Sequence, residues 1–317
     1  MEEKEPVFAP EVETIESRSK FGDKEKILEA LLTGEVVEVG PIEEVCRDIP
    51  PHQNEVRIVD LPQQNANEIL AVKIQKGGQE LRCVFKPADG ENKQSKESVG
   101  IEAFYPRECA AYLISEHFKL DIVPPTVIRE INGRVGALQL FLDHDYFGMV
   151  GELGPAELEQ MQEGMDFKKM AILDWILANC ERHQDNWLVR RENPQELVAI
   201  DHGIILSLGS YWEHALRGPG LALTLQSKEG QRRPRQVPIP QELLTLLEEG
   251  FSRQEELNLK LEKLPGISPE AIQSMWKRVA ALLHYQVFLS KENYHAVTGQ
   301  SYLSLQFSPQ SAESSSK

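Results

Sequence analysis

Apolar and polar residues alternate along two early stretches of the chain, 69–74 (ILAVKI) and 81–85 (LRCVF). Alternation with a period of two is typical of strands that bury one face. A Gly-Gly pair at 77–78 lies between the two stretches and suits the tight turn of a β-hairpin. An Asn-Gly pair at 132–133 gives a second hairpin signal before another extended stretch, 135–142 (VGALQLFL). The pattern predicts an antiparallel sheet of about four or five strands.

The second half of the chain changes to helical spacing. Apolar residues recur every three or four positions over one early helix, 105–118, and repeatedly after Gly154. We expect Asp166 to cap one later helix and Ser268-Pro269 to begin the longest, since Ser accepts from early amides and Pro suits the first helical position. The later helices are predicted over 155–165, 167–179, 241–251, 253–264 and 269–290.

This order of elements predicts an α+β fold in which a mainly β lobe is followed by a mainly α lobe. A short helix, Lys24 to Leu32 with Asp23 as its cap, is expected within an otherwise loose N-terminal tail. Residues 88–100 are predicted to be a polar loop, and 208–236 to be irregular. The predicted boundaries are 1–55 for the tail with its helix, 56–143 for the β-rich N-lobe, 144–300 for the α-rich C-lobe and 301–317 for a disordered tail.

The charge balance narrows the classes of partner. The chain has 34 basic and 50 acidic side chains and a net charge of -16. Nucleic acids and anionic membranes are bound through Lys and Arg, so this balance argues against nucleic-acid binding and disfavours, without eliminating, a lipid partner.

The cysteines and the N-terminus indicate the compartment. The four cysteines form no CxxC pair, which argues against a zinc site and a disulfide framework. The first 17 residues are acidic and have no apolar centre, so they do not resemble a signal peptide. No apolar run approaches the length of about 18–20 residues that a membrane span requires. We expect a cytoplasmic protein, although these features do not exclude export by a specialised secretion system. The sequence does not indicate the oligomeric state.

Two polar residues lie at the ends of two consecutive apolar strands. Asn186 comes directly before Trp187-Leu-Val, and Asp201 ends the next strand, Leu-Val-Ala-Ile. Carboxylate and amide oxygens are ligands that Mg²⁺ accepts in proteins. Either residue alone is more often a turn or cap residue, but the pair at one end of adjacent strands predicts a metal-nucleotide site.

A lysine and a glutamate upstream complete a phosphate-binding pattern. Lys86 ends a predicted strand, where its ammonium can point at phosphate oxygens, and Glu108 lies on the following helix, where it can hold Lys86 by an ion pair. Each residue alone is as readily explained as an exposed surface charge. Together with the strand-end pair they predict phosphoryl transfer from ATP.

The short polar loop before Asn186 supplies candidates for proton transfer. Glu181 or Asp185 is expected to orient the attacking hydroxyl or accept its proton. Arg182 is expected to brace that carboxylate or the transferring phosphate, and His183 is a further candidate for the same task. A histidine-based metal site is less convincing because no second His stands at ligand spacing.

These motifs resemble a known superfamily. CERHQDNWLV followed by VAIDHG is similar to the catalytic and metal loops of the PI3/PI4-kinase-like superfamily, with the nearest pattern in type II phosphatidylinositol 4-kinases and their bacterial PI3/PI4-kinase-like relatives. VFKP around Lys86 and RECAAYLISEHFKLDIVPPT around Glu108 fall in the same order, so the resemblance covers about 60–210. It implies a two-lobed protein-kinase-like fold.

The resemblance also assigns roles. It makes Lys86 the phosphate lysine with Glu108 as its partner, and Asn186 and Asp201 the Mg²⁺ ligands. In this chain Glu181 replaces the catalytic aspartate of the family, His183 replaces a glycine, and 62–67 (PQQNAN) stands where a glycine-rich phosphate loop is expected. The adenine-side strand would comprise Gln139, Leu140, Phe141 and Leu142.

The predicted function is an ATP- and Mg²⁺-dependent phosphotransferase acting on a hydroxyl of a protein, peptide or small molecule. A phosphatidylinositol kinase is the first alternative, since 208–236 contains several basic residues that could face a membrane. The second alternative is a pseudokinase that binds a partner without turnover. It is favoured by the replacement of the family's catalytic aspartate by Glu181 and by the lack of glycine in the expected phosphate loop, 62–67. Nucleotidyl transfer from a reoriented ATP also stays open.

Overall fold

The computed structural model of the protein describes residues 19–42, 67–143, 147–179, 181–207, 223, 225–228, 231–301 and 305. The expected tail over 1–18, most of the poor phosphate loop at 62–67 and the greater part of the C-terminal tail lie outside these ranges.

The first lobe is built on a five-stranded antiparallel sheet with the order β1-β2-β3-β5-β4. Both predicted hairpins are present, and residues at their turns adopt the left-handed backbone that these turns require, with φ of 58° and 79° at Gly77 and Gly78 and 51° and 79° at Asn132 and Gly133. The strands are β1 (Glu35–Gly40), β2 (Leu70–Lys76), β3 (Gln79–Pro87), β4 (Thr126–Ile131) and β5 (Arg134–Leu140).

Two elements of this lobe escaped prediction. The strand β1 lies inside the range assigned to the N-terminal tail, so the sheet begins earlier in the chain than expected. The prediction of a polar loop over 88–100 is wrong, because this range contains helix α2 (Lys93–Val99). Asn92 caps α2 by accepting from the Ser95 amide, and Gly100 ends it with a φ of 66°.

Helices cover the sheet. The predicted first helix is confirmed as α1 (Lys24–Thr33), which begins at Asp23 and ends at Gly34. Its Leu31 is fully buried in one cluster with strand residues such as Val72 and Phe85. The second predicted helix is confirmed as α3 (Tyr105–His117), whose apolar residues belong instead to the core that extends into the second lobe.

The second lobe is mainly helical around a small sheet with the order β6-β7-β8. The pairing of β7 with β8 matters most, because it forms the hairpin that carries the strand-end residues. The elements are β6 (Phe147–Met149), α4 (Pro155–Glu163), α5 (Met165–Leu177), β7 (Trp187–Arg190), β8 (Asn193–Ala199), β9 (Leu225–Lys228), β10 (Gln231–Pro234), α6 (Gln241–Ser252), α7 (Gln254–Leu261), α8 (Pro269–Tyr285) and α9 (Lys291–Thr298).

Several local expectations for this lobe change. Asp166 is not a cap, since α5 begins after Gly164 and the Asp166 carboxylate accepts from the Leu197 amide. Ser268 does cap α8 as predicted. That helix ends at Gln286, not near Ser290, and Ser290 instead caps α9. The expected irregular stretch 208–236 includes the antiparallel pair β9 and β10.

The N-terminal tail prediction is also wrong for the residues that are described. Phe21 is buried and Lys20 forms an ion pair with Asp166 in the second lobe. In the described part of the chain, none of the helices has both the length and the apolar composition needed to cross a bilayer.

Candidate active site

The hairpin of β7 and β8 brings Asn186 and Asp201 to one end of the second sheet. Trp187 pairs with Ala199, and the Ile200 amide donates to the Asn186 carbonyl at 3.0 Å. Asp201 follows directly and has a φ of 56°, a left-handed conformation that is uncommon for a residue with a side chain. Backbone strain of this kind concentrates at functional sites.

Lys86 joins the two lobes at this point. Its Nζ lies 2.5 Å from Oε1 of Glu108 and 2.8 Å from Oδ1 of Asp201. The Glu108 side chain is almost fully buried, whereas the Asp201 side chain keeps 50% of its surface exposed. The ion pair expected from the sequence is therefore formed, and the strand-end aspartate belongs to the same cluster.

The charges in this cluster shift one another's ionisation. The Lys86 ammonium lowers the pKa of Asp201 to about 2, against the opposing effect of burial. Burial disfavours the charged form of Lys86, but Asp201 and Glu108 outweigh it and raise the pKa of Lys86. At neutral pH the site thus holds an ionised lysine beside an ionised, half-exposed carboxylate.

Helix α3 is held in place by hydrogen bonds at its start and by hydrogen bonds to the segment after Asp201, and these contacts position Glu108. Oε1 of Glu91 accepts from the Phe104 and Tyr105 amides at the start of the helix. One turn on, Nε of Arg107 donates to the Ile205 carbonyl in the loop after Asp201. The second oxygen of Glu108 accepts from the His202 amide at 2.9 Å, so the helix is bonded to the segment that carries the candidate metal ligand.

Arg182 is the centre of a buried polar network and not a surface group. Its side chain is fully buried and pairs with Asp174, whose carboxylate accepts from both Nε and a terminal nitrogen of the guanidinium. The other terminal nitrogen donates to the carbonyls of Asn186 and Ile200. All five N–H groups of the guanidinium are engaged within the protein, so Arg182 holds the ends of the two strands in place and has no donor left for a phosphate.

His202 extends this network toward helix α3. It is fully buried, and its Nε2 accepts from the Arg182 guanidinium at 2.9 Å, which assigns the ring proton to Nδ1. Nδ1 lies 3.9 Å from Oε2 of Glu108 and has no hydrogen-bond partner among the described residues. Burial lowers the pKa of His202 well below its usual range, and Arg182 adds to this effect, so the ring is neutral.

The two candidate catalytic carboxylates differ in environment. Glu181 is partly buried, and burial raises its pKa together with the negative charge of Asp201. Asp185 is exposed and lies beside His183, with 3.5 Å between its carboxylate and the imidazole Nδ1. The Lys86 ammonium also acts on Glu181, and its positive charge opposes the rise of the Glu181 pKa.

The predicted adenine-side residues do not all face one way. The Gln139 side chain is buried and donates to the Thr126 hydroxyl, so it is used inside the N-lobe. The Phe141 amide donates to the Arg82 carbonyl and extends the pairing of β3 with β5 by one residue. Leu140 and Leu142 are partly buried and pack against a cluster formed by Phe21 and Val198.

Sequence patterns pointed to neither Asp174 nor His202. Asp174 is the one charged residue in the buried stretch 170–177 (MAILDWIL) of α5, and a lone charge in such a stretch is a detectable signal of a buried partner. His202 gave no comparable signal, because its place in the network is defined by contacts with Arg182 and Glu108, which are distant in sequence.

The oxygen donors present suit a magnesium ion. The described residues contain no group of three or more His, Cys, Asp or Glu side chains placed to hold a metal. Mg²⁺ is commonly held by one or two protein oxygens together with substrate phosphates. Nδ2 of Asn186 donates to the Glu181 carbonyl, which leaves Oδ1 as its acceptor, and Asp201 is ionised and half-exposed.

Comparison with known proteins places this arrangement in a family. The family model for phosphatidylinositol 3- and 4-kinases matches residues 73–244, which is more than half of the chain and spans Lys86 to Asp201. The chain belongs to the phosphatidylinositol 3- and 4-kinase family. This membership confirms the resemblance drawn from the motifs and agrees with the two-lobed α+β architecture.

Individual relatives match shorter stretches of this chain than the family model does. Phosphatidylinositol 4-kinase gamma 8 of Arabidopsis thaliana is 32% identical over 136 residues, which cover 35% of this chain and 24% of that protein. Phosphatidylinositol 4-kinase type 2-beta of Xenopus tropicalis is 33% identical over 75 residues, covering 22% of this chain and 15% of the relative. The matches thus span about a quarter of the relatives' length or less. Among solved structures, the Golgi casein kinase has a TM-score of 0.46 at 12% identity over 82% of this chain and 73% of its own.

Proposed function

We propose that this chain is a kinase that uses ATP and Mg²⁺ to phosphorylate a hydroxyl of a protein, peptide or small molecule. The contact of Lys86 with both Glu108 and Asp201 carries the proposal. Phosphoryl transfer needs a positioned cation and a metal-binding carboxylate more than covalent chemistry, and this contact supplies both from opposite lobes.

Each residue of the cluster has a role in this proposal. Lys86 binds phosphate oxygens, and Glu108 keeps its ammonium in place. Asp201 and Oδ1 of Asn186 would hold the metal, which neutralises phosphate charge when it is bound. Arg182 and Asp174 keep the two ligand-bearing strands together from behind.

We assign proton transfer to Glu181 and not to Asp185. A base that accepts a proton from a substrate hydroxyl benefits from a raised pKa, and burial gives Glu181 that shift. Asp185 is exposed and is engaged with His183 instead. The extra methylene relative to aspartate gives Glu181 a longer reach toward a hydroxyl.

A phosphatidylinositol kinase is the second candidate, because the relatives are named phosphatidylinositol 4-kinases. The net charge of -16 disfavours general membrane attraction but does not prevent recognition of a single headgroup. The pair of strands at 225–234 lies in the part of the chain where a substrate-facing segment is expected.

Mg-ATP binding is the first test. At a hundred times its dissociation constant, a ligand that binds only the folded state adds about 2.7 kcal/mol of stability. We expect a thermal shift with Mg-ATP that is lost in Asp201→Asn and retained in the matched control Asp185→Asn. An equal shift in both variants would contradict the assignment of the metal site.

Transfer of labelled phosphate is the second test. Radiolabelled γ-phosphate is offered with a mixture of protein substrates and, separately, with phosphatidylinositol vesicles. Transfer to protein supports the main proposal, and transfer to vesicles supports the second candidate. Binding of Mg-ATP without autophosphorylation, and without transfer to protein, to vesicles or to a panel of small hydroxyl-bearing molecules, would identify a pseudokinase.

A further inference from the structure

The segment 19–24, which we call the N-terminal strap, is tied to the second lobe through Lys20. The ammonium of Lys20 pairs with the Asp166 carboxylate and donates to the Leu197 carbonyl at 2.7 Å. Asp166 also accepts from the Leu197 amide at 3.0 Å. The Lys20 side chain is 9% exposed, so a buried charge is committed to holding the strap against β8.

The strap is also bonded to the end of helix α3 and the loop after it. Oγ of Ser19 donates to Asp121 at 2.9 Å. Nζ of Lys24 lies 2.6 Å from carboxylate oxygens of both Glu116 and Asp121. The last residue of the strap, Lys24, is the first residue of α1, and α1 packs on the N-lobe sheet, so the strap connects the two lobes.

Phe21 lies at the middle of the strap and is 6% exposed. It forms a buried cluster with Val198 of β8. The partly buried residues that pack against this cluster come from the end of β5 and from both strands of the hairpin, namely Leu140, Leu142, Leu188 and Ile200.

These contacts lie on the face of the hairpin that is turned toward the N-lobe. Leu188 and Val198 are paired partners and Ile200 is two residues beyond Val198, so all three project from the same face. The opposite face, which includes Trp187 and Leu197, belongs to the core of the second lobe. Phe21 therefore lies against the surface between the lobes. Two residues that pack on its cluster are neighbours of the candidate metal ligands: Ile200 is one residue before Asp201, and Leu188 is two residues after Asn186.

We propose that the N-terminal strap is part of the nucleotide site and that Phe21 is a positioning residue that supports the wall of the adenine pocket. This inference rests on the proposed function. Leu188 and Ile200 flank the two candidate metal ligands and lose their apolar support if Phe21 is removed. Leu188 and Ile200 are then free to shift and bind the nucleotide base less well, while Lys86 and Asp201 keep their own contacts.

The experiment measures the dissociation constant for Mg-ATP by calorimetry, at a temperature where circular dichroism shows every variant folded. Phe21→Ala and Phe21→Leu test the ring, and Phe288→Leu makes the same change at a buried phenylalanine of the C-terminal part. Lys20→Met tests the anchor. Lys26→Met is its control, because Lys26 is 73% exposed and its one ion pair among the described residues is with Asp23 on the surface.

We expect Phe21→Ala to weaken Mg-ATP binding by about tenfold, in the range of substitutions that act on a site through a packed neighbour. Phe21→Leu and Lys20→Met should weaken it less, and both controls should bind as the unmodified protein does. Phe288→Leu should lower the melting temperature without changing the dissociation constant, which separates positioning from general stability. If Phe21→Ala does not fold, Phe21→Leu and Lys20→Met decide.

Three results would overturn the proposal. Unchanged affinity in the Phe21 and Lys20 variants would show that the strap is only structural. Tighter binding in Phe21→Ala would show that the ring occupies the place of the nucleotide. If the unmodified protein binds no Mg-ATP, the proposed function fails first and the role of the strap in a nucleotide site fails with it.

Discussion

Replacing Arg182 by methionine tests the buried network on which the candidate site is built. The side chains of Arg182 and Asp174 are 0% and 2% exposed, so the pair is out of contact with water. Within the described part of the chain, Arg182→Met leaves the Asp174 carboxylate with one hydrogen bond, from Nδ2 of Asn179. It also removes a donor from the carbonyls of Asn186 and Ile200.

The expected loss follows from the burial of the pair. Removing one partner of a buried ion pair costs about 3–5 kcal/mol, because the other charge stays buried and uncompensated. Urea unfolding at pH 7, followed by tryptophan fluorescence, measures this change in the free energy of unfolding. The control Arg253→Met breaks a pair with Glu256 whose side chains are 40% and 61% exposed, and should cost no more than about 1 kcal/mol.

A double variant separates the ion pair from other effects. In Arg182→Met with Asp174→Asn the uncompensated charge is gone, so the double variant should be more stable than the sum of the single losses by about 1 kcal/mol or more. A loss below 1 kcal/mol in Arg182→Met, with Mg-ATP affinity abolished, would refute the structural role and favour the phosphate contact that the sequence also allowed.

Three further outcomes are expected. Glu181→Gln should lower the rate of phosphate transfer by about 10²–10⁴-fold in a labelled-ATP assay, whereas Asp185→Asn should change it only a few-fold, and the reverse order would exchange their roles. Because Asp201 has a lowered pKa, its stabilisation is full above about pH 4 and is lost as pH falls toward 2. Asp201→Asn should thus reduce the difference in unfolding free energy between pH 5 and pH 2.5 by about 1 kcal/mol after allowance for its exposure, and an unchanged difference would contradict the ion pair. Ser268→Ala should cost about 1 kcal/mol by urea unfolding, since Ser268 caps a helix by accepting from the Ala271 amide, and Ser268→Asp should restore most of it.

The parts of the fold that were predictable are those encoded by neighbouring residues. The Gly-Gly pair at 77–78 and the Asn-Gly pair at 132–133 fix tight turns by their backbone preferences alone, and both hairpins form. The proximity of Asn186 and Asp201 was predictable for the same reason. A short connection makes consecutive strands antiparallel neighbours, so the start of one and the end of the next meet.

Helix α2 shows where periodicity fails. Of its seven residues, KQSKESV, only Val99 is buried, so the apolar stripe that identifies a helix is missing. Its signals are at its ends, in the cap Asn92 and the left-handed Gly100. Polar sequence between two such residues is compatible with either a loop or a surface helix, and here the caps decide.

The N-terminal strap could not be predicted from its own residues. Its sequence, Ser-Lys-Phe-Gly-Asp-Lys, has Phe21 as its one large apolar residue, and nothing local distinguishes it from a tail. Its order comes from partners that lie about 100 residues or more away, chiefly Asp121, Asp166 and Val198. Such contacts are specified by the assembled lobes and not by local propensity.

Glu108 explains why Lys86 and the segment that carries Asp201 belong to one structural unit. Its two oxygens are divided between Nζ of Lys86 and the backbone amide of His202, and its side chain is only 3% exposed. An outward movement of helix α3 would break both contacts at once, together with the bond from Arg107 to the Ile205 carbonyl, and would leave Lys86 paired with Asp201 alone. The cost of unpairing several buried polar groups together makes partial displacement unfavourable, so the helix, Lys86 and Asp201 are expected to engage or separate as a set.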